Sequence, residues 1–350
     1  MVTIANPFEN PISRERLHQL RDVVNPGPVL ILTHDNPDPD ALASGLGFSR
    51  LLKAWSIGSQ LVYSGLVTRA ENKAMLEVLT PEWEYRDELP DLGAFQAIAL
   101  VDTQPNAGNN DLPSNVIPHV VIDHHHPVRD KMDKVPFVEL RPEVGATVSL
   151  VYQYLDAANV LIDTQLATAI FYGLKTDTRG LSRGDSTTDQ AVYFRLLSMI
   201  DRSLLAQVEH AGLPREYFRR ICDGLKAAAV HGDLVITDLG ELHRPDFVAE
   251  MADLLVRLEN TRAVLCLGYH DNLIYISLRT ESTQQDAGML IQRIVQPPGK
   301  AGGHGTVAGG QMPLGDADLD EQEAGRLCAE IKQRFLDVMG GSRVGVQLMV

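Results

Sequence analysis

Apolar positions along the chain follow two periods, and the switches between them predict its elements. Ile12 to Val24 has helical spacing with Ser13 placed as a cap, and Asn25-Pro26-Gly27-Pro28 breaks the chain before the apolar run Val29 to Thr33. Asp40 to Trp55 returns to helical period, so His34 to Asp40 is a strand-to-helix loop. Its helix start also suits anions. Segments 59 to 63, 97 to 101 and 119 to 122 read as further strands, with the helical pattern Arg69 to Leu79 among them. Alternation of this kind predicts a mostly parallel sheet flanked by helices, an α/β fold.

From Glu143 to Ile200 the pattern is nearly all helical: Val144 to Ala158, Thr164 to Lys175 and Thr188 to Ile200, interrupted by a polar loop from Thr176 to Thr187. A further helix, Arg215 to Val230, reads as a connector, because strands resume at 233 to 238, 263 to 269 and 273 to 279, with helices at 245 to 259 and 286 to 295. The expected organisation is a domain over 1–212, a connector over 213–230 and a smaller α/β domain over 231–350. Pro297 to Gly305 reads as a flexible loop before a last strand and a helix from Leu319 to Val338. No internal repeat or low-complexity tract appears.

Composition narrows the class without naming it. At 350 residues, 44% hydrophobic and 22% charged, the chain has the make-up of an ordinary globular protein with room for two cores. A formal net charge of -15 argues against tracking long nucleic acid, which needs many Lys and Arg contacts to phosphate. It permits a small anionic ligand, since bound cations neutralise clustered acids. Cys222, Cys266 and Cys328 are odd in number and far apart, which fits neither a disulfide framework nor a Cys-rich zinc site, so the expected compartment is a reducing cytoplasm. Met1 to Asn10 lacks the basic start and apolar core of a signal peptide, and no apolar run approaches the roughly 20 residues that span a bilayer.

The chemistry concentrates where strands end. Val120 to Pro127 reads V-V-I-D-H-H-H-P, placing Asp123, His124, His125 and His126 directly after a β-branched run. Val29 to Thr33 runs into His34, Asp35, Asp38 and Asp40, and Ala97 to Val101 into Asp102. The carboxyl ends of parallel strands line the ligand crevice, so these clusters are expected to converge. Pro37 and Pro39 hold the loop extended and aim the neighbouring acids differently. A single Asp at a strand end is ordinarily a helix cap. With Asp177 the set reaches six side chains, His34, Asp38, Asp40, Asp102, His124 and Asp177, enough for two metals about 3.5–4 Å apart. Carboxylates and imidazoles without thiolates suit Mn²⁺, with Mg²⁺ as the alternative. Gly302, Gly303 and Gly305 would let backbone approach an oxygen-rich ligand, with His304 as a donor, although a glycine cluster before a strand is ordinarily a turn. Ser186, Thr187 and Thr188 read as a helix cap rather than catalytic hydroxyls.

Together these residues resemble the DHH phosphoesterases. The family's first motif resembles His34 to Ser44, the second Val101-Asp102, the third Asp123 to His125 and the fourth G-L-K-T-D-T over Gly173 to Thr178. The Gly302-Gly303-His304 segment resembles the substrate domain of the DHHA1 subgroup. The resemblance implies an N-terminal DHH catalytic domain, a C-terminal DHHA1 substrate-binding domain and an active site in the cleft between them. It assigns one metal to His34, Asp38 and Asp102, and the other to Asp40, Asp102, His124 and Asp177, with Asp102 bridging. A water activated by both would attack phosphorus in line. Asp123 would support the site from behind, and His125 would contact the scissile phosphate or protonate the leaving oxygen. Arg279, at the end of I-Y-I-S-L-R-T, resembles an arginine that holds the substrate's far end, with Lys300 assisting. The T-D-T-R-G-L stretch departs from the family, where a glycine and an aromatic more often follow.

Within that family, RecJ-type exonucleases carry extra nucleic-acid-binding modules and membrane-bound cyclic-dinucleotide phosphodiesterases carry transmembrane segments. Neither is expected here. The expected function is hydrolysis of very short oligoribonucleotides such as dinucleotides, or of 3′-phosphoadenosine 5′-phosphate, by a cytoplasmic enzyme with no long nucleic acid or membrane among its partners. A homodimer is left open. The alternatives are a soluble phosphodiesterase for cyclic or linear dinucleotide signals, and a catalytically silent nucleotide-binding regulator.

Overall fold

The computed structural model describes residue 8 and residues 10–182, 186–282, 286–315, 321–341 and 346–350, and its chain divides into two units, Met1–Gly212 and Leu213–Val350. Most of Met1 to Asn10, and the expected start of the last helix at Leu319, lie outside the described residues.

In the N-terminal unit the chain runs α1 (Arg14–Val24), β1 (Val29–Leu32), α2 (Pro39–Ala54), β2 (Ser59–Tyr63), α3 (Ala70–Val78), β3 (Trp83–Tyr85), β4 (Ala97–Val101), β5 (Val120–Asp123) and β6 (Phe137–Leu140). It continues through α4 (Thr147–Ala157), α5 (Thr164–Asp177), α6 (Thr187–Leu196) and α7 (Arg202–Glu209). Its strands pair in parallel in the order β3-β2-β1-β4-β5-β6. The three central strands are buried along their whole length because both sheet faces are covered. Val29 and Ile31 of β1 pack into a core that includes Leu46 of α2, Leu150 of α4 and Ile170 of α5, while Leu30 and Leu32 face a second core with Leu112, Met132 and Val135. The strands β3 and β6, of three and four residues, and the eight-residue helix α7 are too short for a period to be read from sequence. Glu139 of β6 is buried and takes bonds from Arg16 Nε (3.0 Å), Arg141 Nε (2.6 Å) and Tyr154 Oη (2.5 Å), tying α1 and the last turn of α4 to the sheet edge.

The C-terminal unit runs α8 (Arg215–Ala227), β7 (Ala229–His231), β8 (Leu234–Glu241), α9 (Phe247–Leu255), β9 (Ala263–His270), β10 (Leu273–Thr280), α10 (Ala287–Ile294), β11 (Lys300–His304), β12 (Val307–Pro313), α11 (Glu321–Met339) and β13 (Gln347–Leu348). The sheet order is β11-β12-β10-β9-β8-β7-β13, antiparallel except between β8 and β9. Along β9, Val264 and Cys266 face α9, and Leu265 and Leu267 face α10 and α11. This alternation is that of a strand covered on both sides. The structure corrects two expectations here. The helix expected to reach Val230 stops at Ala227, because Ala228 is extended and Val230 pairs with Val235. Of the stretch from Pro297 to Gly305 expected to be a flexible loop, Lys300–His304 forms β11, whose five residues all pair with β12.

Candidate metal centre

The sheet order reverses between β1 and β4, and the crevice of a parallel sheet opens at such a reversal, outside the strands' carboxyl ends. His34 lies two residues beyond β1, Asp102 directly follows β4, and Asp123 ends β5 ahead of His124 and His125. Asp102 has φ 59°, a left-handed conformation that aspartate adopts more readily than most residues. Its N–H donates to Ile122 O (2.9 Å) and its Oδ1 accepts from Thr147 Oγ1 (2.7 Å). Asp38 precedes a proline and is extended, capping α2 by accepting from Ala41 N at 3.0 Å, while Asp40 sits inside the first turn.

Asp177 departs from the expected loop and is the last residue of α5. The hydroxyls of Thr176 and Thr178 donate back to the carbonyls of Tyr172 (3.0 Å) and Leu174 (2.7 Å), so these polar residues continue the helix. One turn earlier, a Cβ on Gly173 would stand 2.8 Å from Pro39 O and 3.2 Å from Asp40 Cα. The missing side chain lets α5 lie against the first turn of α2. Gly173→Ala is expected to force the helices apart, lowering stability by about 1–3 kcal/mol and weakening divalent-metal binding; urea unfolding and calorimetric titration with Mn²⁺ check both.

The six acids and histidines come together around Asp102. His34 Nε2 lies 3.5 Å from Asp102 Oδ2 and 3.9 Å from Asp38 Oδ1, and His124 Nε2 lies 3.8 Å from Asp102 Oδ1 and 3.4 Å from Asp177 Oδ2. Three groups, His34-Asp38-Asp102, Asp40-His124-Asp177 and Asp102-His124-His125, each offer ligand atoms within 4.8 Å of one another. His34 Nδ1 donates to Asp35 O (2.9 Å) and His124 Nδ1 to Val144 O (3.0 Å), which fixes each tautomer with its Nε2 lone pair toward the acids. His124 Nε2 is buried with no hydrogen-bond partner among the described residues. Burial, then the charges of Asp102 and Asp177, holds the Asp40 carboxyl well above the usual range, and burial, with Asp38 and Asp102 adding to it against His124, pushes Asp177 up to about 7. Orphaned imidazole nitrogen and crowded oxygen suit hard to borderline divalent cations.

Asp123 is fully buried and holds His125 Nδ1 at 2.9 Å while accepting from Gln104 Nε2 at 2.7 Å. Burial opposes protonation of His125, but Asp123 and Asp102 outweigh it and raise its pKa to about 9. Asp35 turns away to Ser64 Oγ (2.8 Å) and joins no metal-type group among the described residues. Two further residues, which no motif in the sequence marks, bond to this cluster. Gln104 ties Asp123 to His125 O (2.8 Å) and to Arg129 N (2.8 Å), and its only signal was a polar residue two past Asp102. Thr147 reaches Asp102 across 45 positions of sequence, where no local pattern points to it.

In the C-terminal unit, Arg279 is buried on β10, where it donates to Asp253 Oδ1 (2.6 Å), Ser277 Oγ (2.8 Å) and Leu278 O (3.1 Å). Register places Arg279 across from Val307, and Val307 across from His304, so Arg279 and His304 occupy one row of the sheet. Lys300 and Gly302 are exposed on β11. A separate cavity of about 380 Å³ in this unit is lined by Tyr217, Leu239, Leu242 and Phe247 among others, and by none of these candidate residues.

Residues 28–174 match the DHH family, N-terminal domain. The chain is 31% identical over 359 residues to an uncharacterized protein of Methanocaldococcus jannaschii, covering 96% of this chain and 73% of that one. It is 27% identical to the bifunctional oligoribonuclease and PAP phosphatase NrnA of Thermus thermophilus, over 84% of this chain and 86% of the relative. Among solved structures, an exopolyphosphatase-related protein of Bacteroides fragilis shares the fold, with a TM-score of 0.73 and 17% identity over 94% of this chain and 98% of that one. No helix among the described residues is long and apolar enough to cross a membrane. The chain belongs to the DHH family of phosphoesterases.

Proposed function

We propose that this chain hydrolyses the phosphoester bonds of very short oligoribonucleotides, or of 3′-phosphoadenosine 5′-phosphate, with two divalent cations, of which Mn²⁺ suits the donors best. The observation that carries this reading is Asp102, a buried carboxylate with His34 beside one oxygen and His124 beside the other. His34, Asp38 and Asp102 would hold one cation; Asp40, Asp102, His124 and Asp177 would hold the second. When bound, the pair supplies an acidified water and neutralises charge on the transferring phosphoryl group. The protein's own part is orientation and proton transfer. Thr147 fixes Asp102, Val144 O fixes His124, and Asp123 holds His125 by Nδ1, which leaves Nε2 as the atom that donates to a phosphate oxygen or the departing alkoxide.

Substrate binding is assigned to the C-terminal unit, through Arg279, Lys300, Gly302, Gly303 and His304. A Cβ on Gly302 would meet nothing within 4 Å, so neither packing nor conformation demands glycine there, and a backbone that must approach a phosphate does. The likeness to an oligoribonuclease and PAP phosphatase over 86% of that relative supports the substrate class. The test is hydrolysis of an RNA dinucleotide, 3′-phosphoadenosine 5′-phosphate and a cyclic dinucleotide in parallel, with Mn²⁺ and with chelator. Turnover of the first two, lost on chelation, is expected. Turnover of the cyclic substrate alone would move the chain to dinucleotide signalling, and no metal-dependent turnover of any would sink the hydrolase reading.

A further inference from the structure

Asp189 lies outside the ligand set, yet it is completely buried and accepts from Ser149 Oγ (2.6 Å), Gly145 N (2.7 Å), Ser186 N (2.6 Å) and Ser186 Oγ (2.8 Å). A buried carboxylate costs free energy unless its oxygens are filled, and these four donors fill them. Two of them belong to the segment 144–149 that begins α4. That helix needs outside help, because its cap residue Ala146 has no side chain to accept the first-turn amides. Asp40 accepts from Thr147 N (2.7 Å) and Val148 N (2.8 Å), and Asp189 accepts from the residues flanking them. The first turn of α4 is thus gripped by two carboxylates. The same segment presents Val144 O, one residue before Gly145, to His124, and the Thr147 hydroxyl to Asp102.

We propose that Asp189 is a positioning residue of the metal centre: it fixes the 144–149 segment, which in turn orients His124, Asp102 and Asp40. The inference rests on the two-cation reading above. Asp189 also forms a capping box with Ser186 at the start of α6, which follows the Asp177 helix, so one side chain ties both segments together. The bonding pattern sets the variants apart. In Asp189→Asn the amide carbonyl can take the place of Oδ2, which accepts three of the bonds, and the NH₂ can donate to Ser149 Oγ, since a hydroxyl accepts as well as donates. Asp189→Ala leaves all the donors unfilled.

The experiment is calorimetric titration of the full chain with Mn²⁺, alongside thermal unfolding without metal. Asp189→Ala is expected to weaken Mn²⁺ affinity about tenfold or more, the usual scale for groups that orient metal ligands, while Asp189→Asn keeps most of it. Tyr154→Phe serves as the control for a merely structural effect, because it breaks the Glu139 bond in the last turn of the same helix, lowering the unfolding temperature while leaving Mn²⁺ affinity as it is. Should Asp189→Ala not fold, Ser149→Ala removes one of its donors and is expected to weaken affinity in the same direction. Wild-type affinity in Asp189→Ala, or in Ser149→Ala where Asp189→Ala does not fold, overturns the proposal, as does an equal loss in Tyr154→Phe. If the wild-type chain binds no Mn²⁺, the two-cation reading falls and takes the proposal with it.

Discussion

Replacing Asp102 with Asn is expected to lower kcat/KM for phosphoester hydrolysis by about 10³-fold or more, the upper range for removing one preorganised electrostatic group. The reason is its place rather than its charge alone. Each of its two oxygens faces a different histidine; in Asn an NH₂ replaces the oxygen beside His34 and the carbonyl left beside His124 is uncharged, so both proposed cation positions lose anionic charge at once. The fold should survive. The Asn carbonyl can keep the bond from Thr147, and the backbone bond to Ile122 does not involve the side chain. Asparagine also tolerates the left-handed conformation at this position about as well as aspartate does. With metal at about 100 times its dissociation constant, the wild-type chain should gain about 2.7 kcal/mol. For a domain of this size that is a rise in unfolding temperature of about 5–11 °C. In Asp102→Asn the rise should disappear while the metal-free unfolding temperature stays level. Activity retained with Mn²⁺, or an undiminished thermal shift, would remove Asp102 from the centre of the reading.

The parts of this site that lie next to one another in sequence were readable as sequence. His34, Asp102 and Asp123 to His125 follow apolar runs too short for a helix and too continuous for a half-exposed strand, and a buried parallel strand is what remains. Thr-Asp-Thr looks polar and predicts a loop at Asp177, whereas the hydroxyls of Thr176 and Thr178 spend their bonds on their own helix. Gln104, Thr147 and Asp189 carry no such signal, for another reason. Each acts on residues brought near it by the sheet and the helices packed on it, and a hydrogen bond between Thr147 and Asp102 leaves no trace in local periodicity. The same holds for β11. Prolines just before it and glycines within it read like a turn, and only pairing with β12 makes it a strand.

That strand supplies the second large effect. Gly303→Ala is expected to cost the chain about 3 kcal/mol or more, the upper range for forcing a side chain into filled space, and to lower the unfolding temperature by about 10 °C. Gly303 has φ 155°, and a Cβ there would lie 2.4 Å from Val307 O and 2.5 Å from Ala308 Cα, atoms of the neighbouring strand that cannot swing aside. Gly288→Ala should produce the same defect from the opposite side, because its Cβ would stand 2.0 Å from Gly303 O, where α10 meets β11. Gly302→Ala, one residue away, should behave in the opposite manner. Its side chain would enter open space, so stability is expected to hold, while KM for a short oligoribonucleotide rises about tenfold as the methyl group keeps a phosphate from the backbone. Thermal unfolding and initial-rate kinetics on the three variants separate the two roles. If Gly302→Ala leaves KM unchanged, the substrate does not touch β11, and the glycines at 302 and 303 would differ only in how tightly the strand is packed. If instead Gly303→Ala unfolds normally and only KM suffers, the close packing of β11 is not what holds this edge of the sheet together, and both glycines would belong to the substrate surface.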